Sequence, residues 1–333
     1  MNRLSGEHPL SRALRDLLPG DFPWPASGEV FLEPLPSSRQ VARLTAGNGA
    51  AAVVGKFFSA YPPATEKDRS LDGEYGNYLR AESLGLTPEA GLIPRLLGRH
   101  LQARLGLVVE AVSGPDLDQA LALACRRGEN DQLFCRLEKL AGLLAVFHTR
   151  PLPGQQPASP QPALEYLAKL RHQLQTLDLL TGEDDRVFQD EAAAWAGRLA
   201  RFPDHLVLAH GDATPTNFLF PDGRVVAVDL ERLRPGDRLW DLSWVAGEIR
   251  HAWGWRTGHA AGAEPAIGHF FASYLQALPA DAALTRRIFA LNPFYMALAE
   301  LRIARNLYLS RDYRRALVAE ARRCLAGGRS LCL

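Results

Sequence analysis

Residues 206–245 read LVLAHGDATPTNFLFPDGRVVAVDLERLRPGDRLWDLSWV. The stretch breaks into an apolar run at 206–209, a polar loop, a short strand at 218–220, a Pro-Asp-Gly turn at 221–223 and a second strand at 224–228. That is a hairpin with its polar residues gathered at the open end.

If the two strands pair antiparallel about the turn, Asn217 and Asp229 come out opposite one another just outside the pairing. Cross-strand neighbours lie roughly 4.5–5.5 Å apart, so an amide oxygen and a carboxylate converge on one small volume. Two hard oxygen ligands with room left for water and phosphate oxygens are what Mg2+ prefers. Asp212, five residues before Asn217 in the same loop, can face that volume without filling a metal position. This suits a base that orients a hydroxyl.

The pattern resembles the catalytic loop and metal motif of the protein-kinase-like fold, an H-x-D-x-x-x-x-N loop followed by a metal-binding Asp. Here these are His210, Gly211, Asp212 and Asn217, then Asp229. Gly211, where protein kinases carry Arg, resembles instead the aminoglycoside phosphotransferase and choline kinase group of small-molecule kinases. So does the continuation DLERLRPGDRLWDL at 229–242, which stands where protein kinases have D-F-G.

The rest of the chain sets the frame. With 333 residues, 47% of them hydrophobic, it is long enough for two domains with real cores. A formal net charge of +1 gives no sign of a nucleic-acid or membrane partner. The opening MNRLSGEHPLSR has no apolar signal-peptide core, and no stretch approaches the ~18–20 apolar residues of a membrane span. Cys125, Cys135, Cys324 and Cys332 show no metal spacing and read as thiols of a reducing cytoplasm.

Residues 10–18 read as a short amphipathic helix, followed by strands at 29–34, 41–46 and 51–58. Gly47-Asn48-Gly49 is a hairpin turn between the last two. Three consecutive antiparallel strands suggest the small β lobe of a kinase. The turn 36–39, Pro-Ser-Ser-Arg, stands where that fold covers the ATP phosphates; it has no G-x-G, so Ser37 and Ser38 with backbone N–H groups are the candidates there. Lys56 lies in the third strand, at the place of the lysine that contacts the α- and β-phosphates. It is one of only four lysines in a chain that otherwise uses arginine. A helix at 71–84 offers Glu74 as its partner, with Glu82 as the alternative. Two strands around Gly106, 99–105 and 107–112, lead into VVEAVSGPDL at 108–117. That run resembles the lobe-connecting hinge, where the backbone of Glu110, Ala111 and Val112 would meet the adenine edge.

Helices are expected at 132–148, 163–180 and 187–201, with His148 as a cap or core histidine. Glu231 matches the second acid of the family's D-x-E/D pattern and is a candidate for a second metal or its waters. Asp241 resembles the acid that braces the catalytic loop, since a buried carboxylate needs partners. Trp240, Trp244, Trp253 and Trp255 read first as core packing. In the final helices, 285–292 and 294–325, arginines such as Arg286, Arg287, Arg302, Arg305, Arg314, Arg322 and Arg323 far outnumber the acids Glu300, Asp312 and Glu320. This disfavours a polycationic aminoglycoside and favours a neutral or anionic acceptor.

The resemblance therefore implies an α+β, two-lobed protein-kinase-like fold, a small antiparallel β lobe (1–111) plus a larger mainly helical lobe (112–333), with ATP between them. Lys56 and Glu74 would position phosphates, Asn217, Asp229 and Glu231 would serve Mg2+, and Asp212 would take the proton of a small-molecule hydroxyl. A kinase acting on protein hydroxyls is countered by Gly211 and by the absence of an A-P-E-like segment. A nucleotide-binding pseudokinase is suggested by the unrecognised phosphate loop and countered by intact Asp212, Asn217 and Asp229.

Overall fold

The computed structural model describes residues 2–35, 40–60 and 65–330, and the chain forms two compact units, residues 1–114 with 219–233 and residues 115–218 with 234–333. The first unit runs β1 (Asn2–Leu4), α1 (Pro9–Leu17), β2 (Val30–Pro34), β3 (Val41–Ala46), β4 (Ala52–Phe57), α2 (Glu66–Ser83), β5 (Leu96–His100) and β6 (Leu105–Glu110). These six strands make one antiparallel sheet in the order β1-β2-β3-β4-β6-β5.

Side-chain alternation decides the faces of this sheet. On β3, Ala42, Leu44 and Ala46 are buried while their neighbours are partly exposed. Leu44, Val53, Leu97 and Leu105 pack with Leu10 and Leu14, so α1 closes one face. The same period of two on β4 turns Val53 into that core and Lys56 to the opposite face.

The turn expected at Gly106 lies elsewhere. β5 and β6 meet through a 3-10 turn, Leu101–Ala103, where the His100 imidazole accepts from the Ala103 N–H at 3.2 Å and Arg104 is left-handed at φ 57°. Gly106 sits inside β6, and a Cβ there would come within 2.7 Å of Leu71 on α2. It is glycine so that the helix can approach the sheet. Helix α2 also starts five residues earlier than its apolar period announces. Its first turn is charged, and a capping box between Thr65 and Asp68 sets the start.

The second unit is mainly helical: α3 (Leu117–Arg127), α4 (Asn130–His148), α5 (Gln161–Thr176) and α6 (Gly182–Arg201) precede strand β7 (Val207–Ala209). Where the chain returns to the first unit, two very short strands, β8 (Phe218–Leu219) and β9 (Val226–Ala227), pair with each other on either side of Pro221–Gly223. Then come β10 (Arg234–Gly236), which pairs antiparallel with β7, and α7 (Leu239–Thr257), α8 (Glu264–Gln276), α9 (Ala282–Ala304) and α10 (Arg311–Ser330).

Pro293 does not divide the last helices as expected; α9 runs through it. Its ring packs against the backbone of Gly328 on α10, where a Cβ would meet Pro293 at 2.6 Å. The break falls instead after Ala304, whose carbonyl accepts from Arg314 Nε at 2.7 Å. A cation at a helix C-terminus satisfies a carbonyl that the helix cannot.

Glu300 on α9 is 1% exposed, and its Oε2 has no hydrogen-bond partner among the described residues. Burial pushes its pKa up to about 8, against the pull of Arg250. A carboxyl raised in the folded state stabilises the fold below the unfolded value of about 4.5, and that contribution is lost as the pH rises through about 8. The Glu300→Gln chain should therefore gain melting temperature over the parent as the pH goes from 5 to 9. A difference in melting temperature that is the same at both pH values would refute this.

Candidate active site

In the first unit, α2 presents Glu74, Asn77 and Tyr78 from one face, the i, i+3, i+4 spacing of a helix. Lys56 Nζ, on the α2 side of the sheet, lies 2.8 Å from both carboxylate oxygens of Glu74 and 2.7 Å from Asp229 Oδ1. Glu82, the alternative partner, takes no part in this cluster. Asn77 Nδ2 donates to the carbonyls of Leu230 (2.8 Å) and Glu231 (3.2 Å), and the buried Tyr78 hydroxyl meets the backbone of Asp229. These contacts hold Asp229 at φ 63°, ψ 65°, a left-handed conformation costing a non-glycine residue roughly 1–2 kcal/mol.

The charges of this cluster are unequal. Burial acts against the Lys56 ammonium, but Glu74 and Asp229 outweigh it and raise its pKa. Glu74 is pushed up to about 7 by burial, opposed by Lys56 and reinforced by the like charge of Asp229. One cation facing two carboxylates leaves negative charge over. Glu231, in the 3-10 turn Leu230–Arg232, stands close enough to add to it, although its Oε1 accepts from Arg232 at 3.3 Å.

In the second unit, the loop after β7 is held by one buried acid. Asp241, 0% exposed at the start of α7, accepts from the His210 N–H at 2.7 Å and the Gly211 N–H at 2.8 Å. Gly211 has φ 79°, which glycine alone takes without strain. His148 Nε2 lies 3.1 Å from Asp241 and its Nδ1 2.8 Å from the Tyr274 hydroxyl. Burial lowers the His148 pKa, so the ring is neutral at pH 7. Since an ionised Asp241 can only accept, Nε2 carries the proton and Tyr274 donates to Nδ1. Burial works against the Asp241 charge, yet His148 and the loop donors outweigh it and hold its pKa below the ordinary carboxylate value.

That brace sets the rest of the loop. His210 is buried between the rings of Phe147 and Phe218. Asn217, closing the 3-10 turn Pro215–Asn217, donates its Nδ2 to the Asp212 carbonyl at 3.0 Å, which leaves its side-chain oxygen as an acceptor for a ligand. The Asp212 carboxylate meets Arg302 Nη1 at 3.4 Å. Arg302 also holds Glu248 Oε1 at 2.5 Å and lies over the Trp244 ring at 5.2 Å. No sequence signal singled Arg302 out from its neighbours on α9.

Beside this loop is a cavity of about 480 Å3, walled by Thr214, Pro215 and Thr216 on one side and by side chains of α7 and α9 on the other. Two larger cavities, about 830 and 880 Å3, include no residue of the loop 210–217. The arginine surplus expected at the C-terminal helices is largely neutralised from elsewhere in the chain: Arg287 by Asp237, Arg322 by Asp184 and Arg329 by Glu191. Trp240 and Trp244 pack with Tyr295 and Tyr166 as core, whereas Trp255 is 48% exposed and lines the cavity.

The remaining candidates lie in the first unit. Glu110 ends β6, where its N–H donates to Arg95 (2.9 Å) and that of Ala111 to Ala52 (3.1 Å). Those two donors are committed to protein carbonyls. Ser37 and Ser38 lie outside the described residues.

Among the described residues no group of three or more His, Cys, Asp or Glu side chains could hold a metal ion by itself. In the first unit the Asp229 carboxylate, with one oxygen on Lys56, and in the second the Asn217 amide oxygen are each a hard oxygen donor of the kind Mg2+ accepts.

A lysine paired to a helix glutamate across a six-stranded antiparallel sheet, and an H-G-D loop braced by a buried Asp in a helical unit, define a phosphotransferase of the protein-kinase-like fold. A model of the Phosphotransferase enzyme family matches residues 33–284, and the chain belongs to that family. It is an ATP-dependent phosphotransferase whose acceptor is a hydroxyl of a small molecule.

Solved structures share the fold at low identity. An ethanolamine kinase of Plasmodium vivax is 12% identical with a TM-score of 0.58, over 90% of this chain and 81% of its own. The choline kinase LicA of Streptococcus pneumoniae is 18% identical at 0.57, over 90% and 94%. A glucosamine kinase in complex with glucosamine, ADP and inorganic phosphate is 18% identical at 0.53, over 90% and 81%. No curated protein matches the chain in sequence.

Replacing Asp241 by Asn leaves two buried loop amides competing for one acceptor oxygen. The Asp241→Asn chain should lose about 1–3 kcal/mol in denaturant unfolding, the cost of a buried polar group left unpaired, and should also lose turnover. Unchanged stability would show that the loop does not depend on this acid.

Proposed function

We propose that Lys56, held by Glu74, orients the α- and β-phosphates of ATP, that Asp229 and Asn217 are the Mg2+ ligands, and that Glu231 reaches the metal's waters. The observation that carries this reading is the Lys56 ammonium, held at 2.7–2.8 Å by two carboxylates on the far side of the sheet from the α1 core. Such an arrangement is costly to bury, and a phosphate-binding role explains it. Adenine would be met by the Glu110 carbonyl and Val112. Mg2+, when bound, neutralises charge on the β- and γ-phosphate oxygens.

Asp212 orients the acceptor hydroxyl and takes its proton. The acceptor oxygen forms the new bond to the γ-phosphorus, the bond from that phosphorus to the β-bridging oxygen breaks, and ADP departs with the electron pair. Arg302 fixes the Asp212 carboxylate from behind, through one guanidinium nitrogen at 3.4 Å. Phosphoryl transfer depends mainly on positioning and charge, so the chain's task is to hold these groups still.

By their titles, the solved relatives act on ethanolamine, choline or glucosamine. The arginine-rich C-terminal helices suggest a neutral or anionic acceptor; the arginines that line the cavity beside the loop are paired with carboxylates, which leaves a neutral one as the favoured reading for this chain. The near-zero net charge supports neither a nucleic-acid nor a membrane partner, and no described helix is long and apolar enough to cross a membrane. Dependence on ATP favours the cytoplasm as the place of action.

Asp212→Asn keeps the size of the side chain and removes the base. It should lower kcat roughly 100- to 10,000-fold while leaving the unfolding midpoint and Mg-ATP affinity close to those of the parent. Full turnover in a folded Asp212→Asn chain would refute the role.

A further inference from the structure

The cavity beside the catalytic loop contains an unusual balance of charge. Asp118 is held by Arg256 Nη2 at 2.7 and 2.8 Å, and Glu248 is held by Arg302. Arg305 donates to Gln173 Oε1 at 2.7 Å and to the Arg302 carbonyl at 3.3 Å. Counting Asp212, which Arg302 touches, three carboxylates face three guanidinium groups.

This balance counts against charged acceptors of either sign. A polycation needs acids that no arginine already neutralises, and each carboxylate here has a guanidinium against it. An anion fares no better: Arg256 and Arg302 are committed to those carboxylates by the same ion pairs, which leaves it Arg305, itself on Gln173. His251 adds no charge, because burial pulls its pKa down to about 4.

What the wall does offer is hydrogen bonding in both senses and flat apolar surface. Arg256 commits only Nη2 to Asp118, and the carboxylates keep free lone pairs, so donors and acceptors alternate along the paired edges. A hydroxyl is the group that needs both. Trp255 and Tyr308 are 48% and 76% exposed and both line the cavity. Large rings left in water beside a binding cleft provide a surface for the C–H face of a ring-shaped ligand. A volume of about 480 Å3 is that of a pocket for a small molecule.

We propose that this cavity is the acceptor site and that its substrate is a neutral carbohydrate, with hydroxyls on the ion-paired edges, a C–H face on Trp255 or Tyr308, and one hydroxyl delivered to Asp212. The proposal rests on the kinase reading above and deepens it.

The test uses the full chain with Mg-ATP and follows ADP release and product mass. The probes are glucose, galactose, maltose, trehalose and inositol, against glucose 6-phosphate and glucuronate, and against kanamycin and choline. Turnover is expected with a neutral sugar. Trp255→Ala and Tyr308→Ala, both on half-exposed or exposed rings, should between them raise that sugar's KM about tenfold with the KM for ATP unchanged. Turnover confined to the cationic or to the anionic probes would overturn the carbohydrate assignment and leave the kinase reading standing. So would Mg-ATP binding in a chain that neither turns over nor gains melting temperature from any neutral sugar. A chain that binds no Mg-ATP would instead overturn the kinase reading beneath the proposal.

Discussion

One ammonium held by two carboxylates is the constraint on which the first unit depends. Lys56 reaches Glu74 and Asp229 only because the pleat of β4 turns it away from the core that Val53 enters. A slip of one residue in the pairing of β3 with β4 would send the charge into Leu44, Leu10 and Leu14 instead. The same contact requires α2 to sit close to the sheet, which Gly106 permits, and requires the backbone of Asp229 to stay left-handed, which Asn77 and Tyr78 enforce. Register, helix packing and local strain therefore all serve one small cluster of charge.

The second unit solves a different problem, that of holding a short loop without burying its chemistry. β7 and β10 pair over three residues and deliver the start of α7 beside His210, where Asp241 gathers two consecutive amides. The loop is thus fixed through its backbone. Arg302 adds a constraint from the far end of the chain, tying Asp212 to α7 through Glu248.

Much of this was legible in the sequence because it is written in residue types with few alternatives. The H-G-D loop, the Asn and Asp around Pro221–Gly223, and a rare lysine in a strand point to the fold and to a set of candidate site residues. The lengths of α2 and α9 were less legible, since a capping box and a packed proline set their limits through partners distant in sequence. The two strands read as parting at Gly106, whereas that glycine lies inside β6, where the close approach of Leu71 needs it. The arginine count was incomplete for a related reason: composition records the charges, but the acids that neutralise Arg322 and Arg329 belong to α6, far away along the chain. Arg302 differed from the other arginines only in where α9 carried it.

The segment 219–233 belongs to the first unit, although the chain reaches it only after residues 115–218 have been made. During synthesis, all residues of the six-stranded sheet and α2 have been made long before Asp229 leaves the ribosome. In that interval Lys56 has Glu74 as its only carboxylate, and the face of α2 bearing Asn77 and Tyr78 waits for the backbone it will hold. The first unit is thus completed late, by a contact of very high sequence separation, the kind that slows folding and exposes an unfinished surface to chaperones.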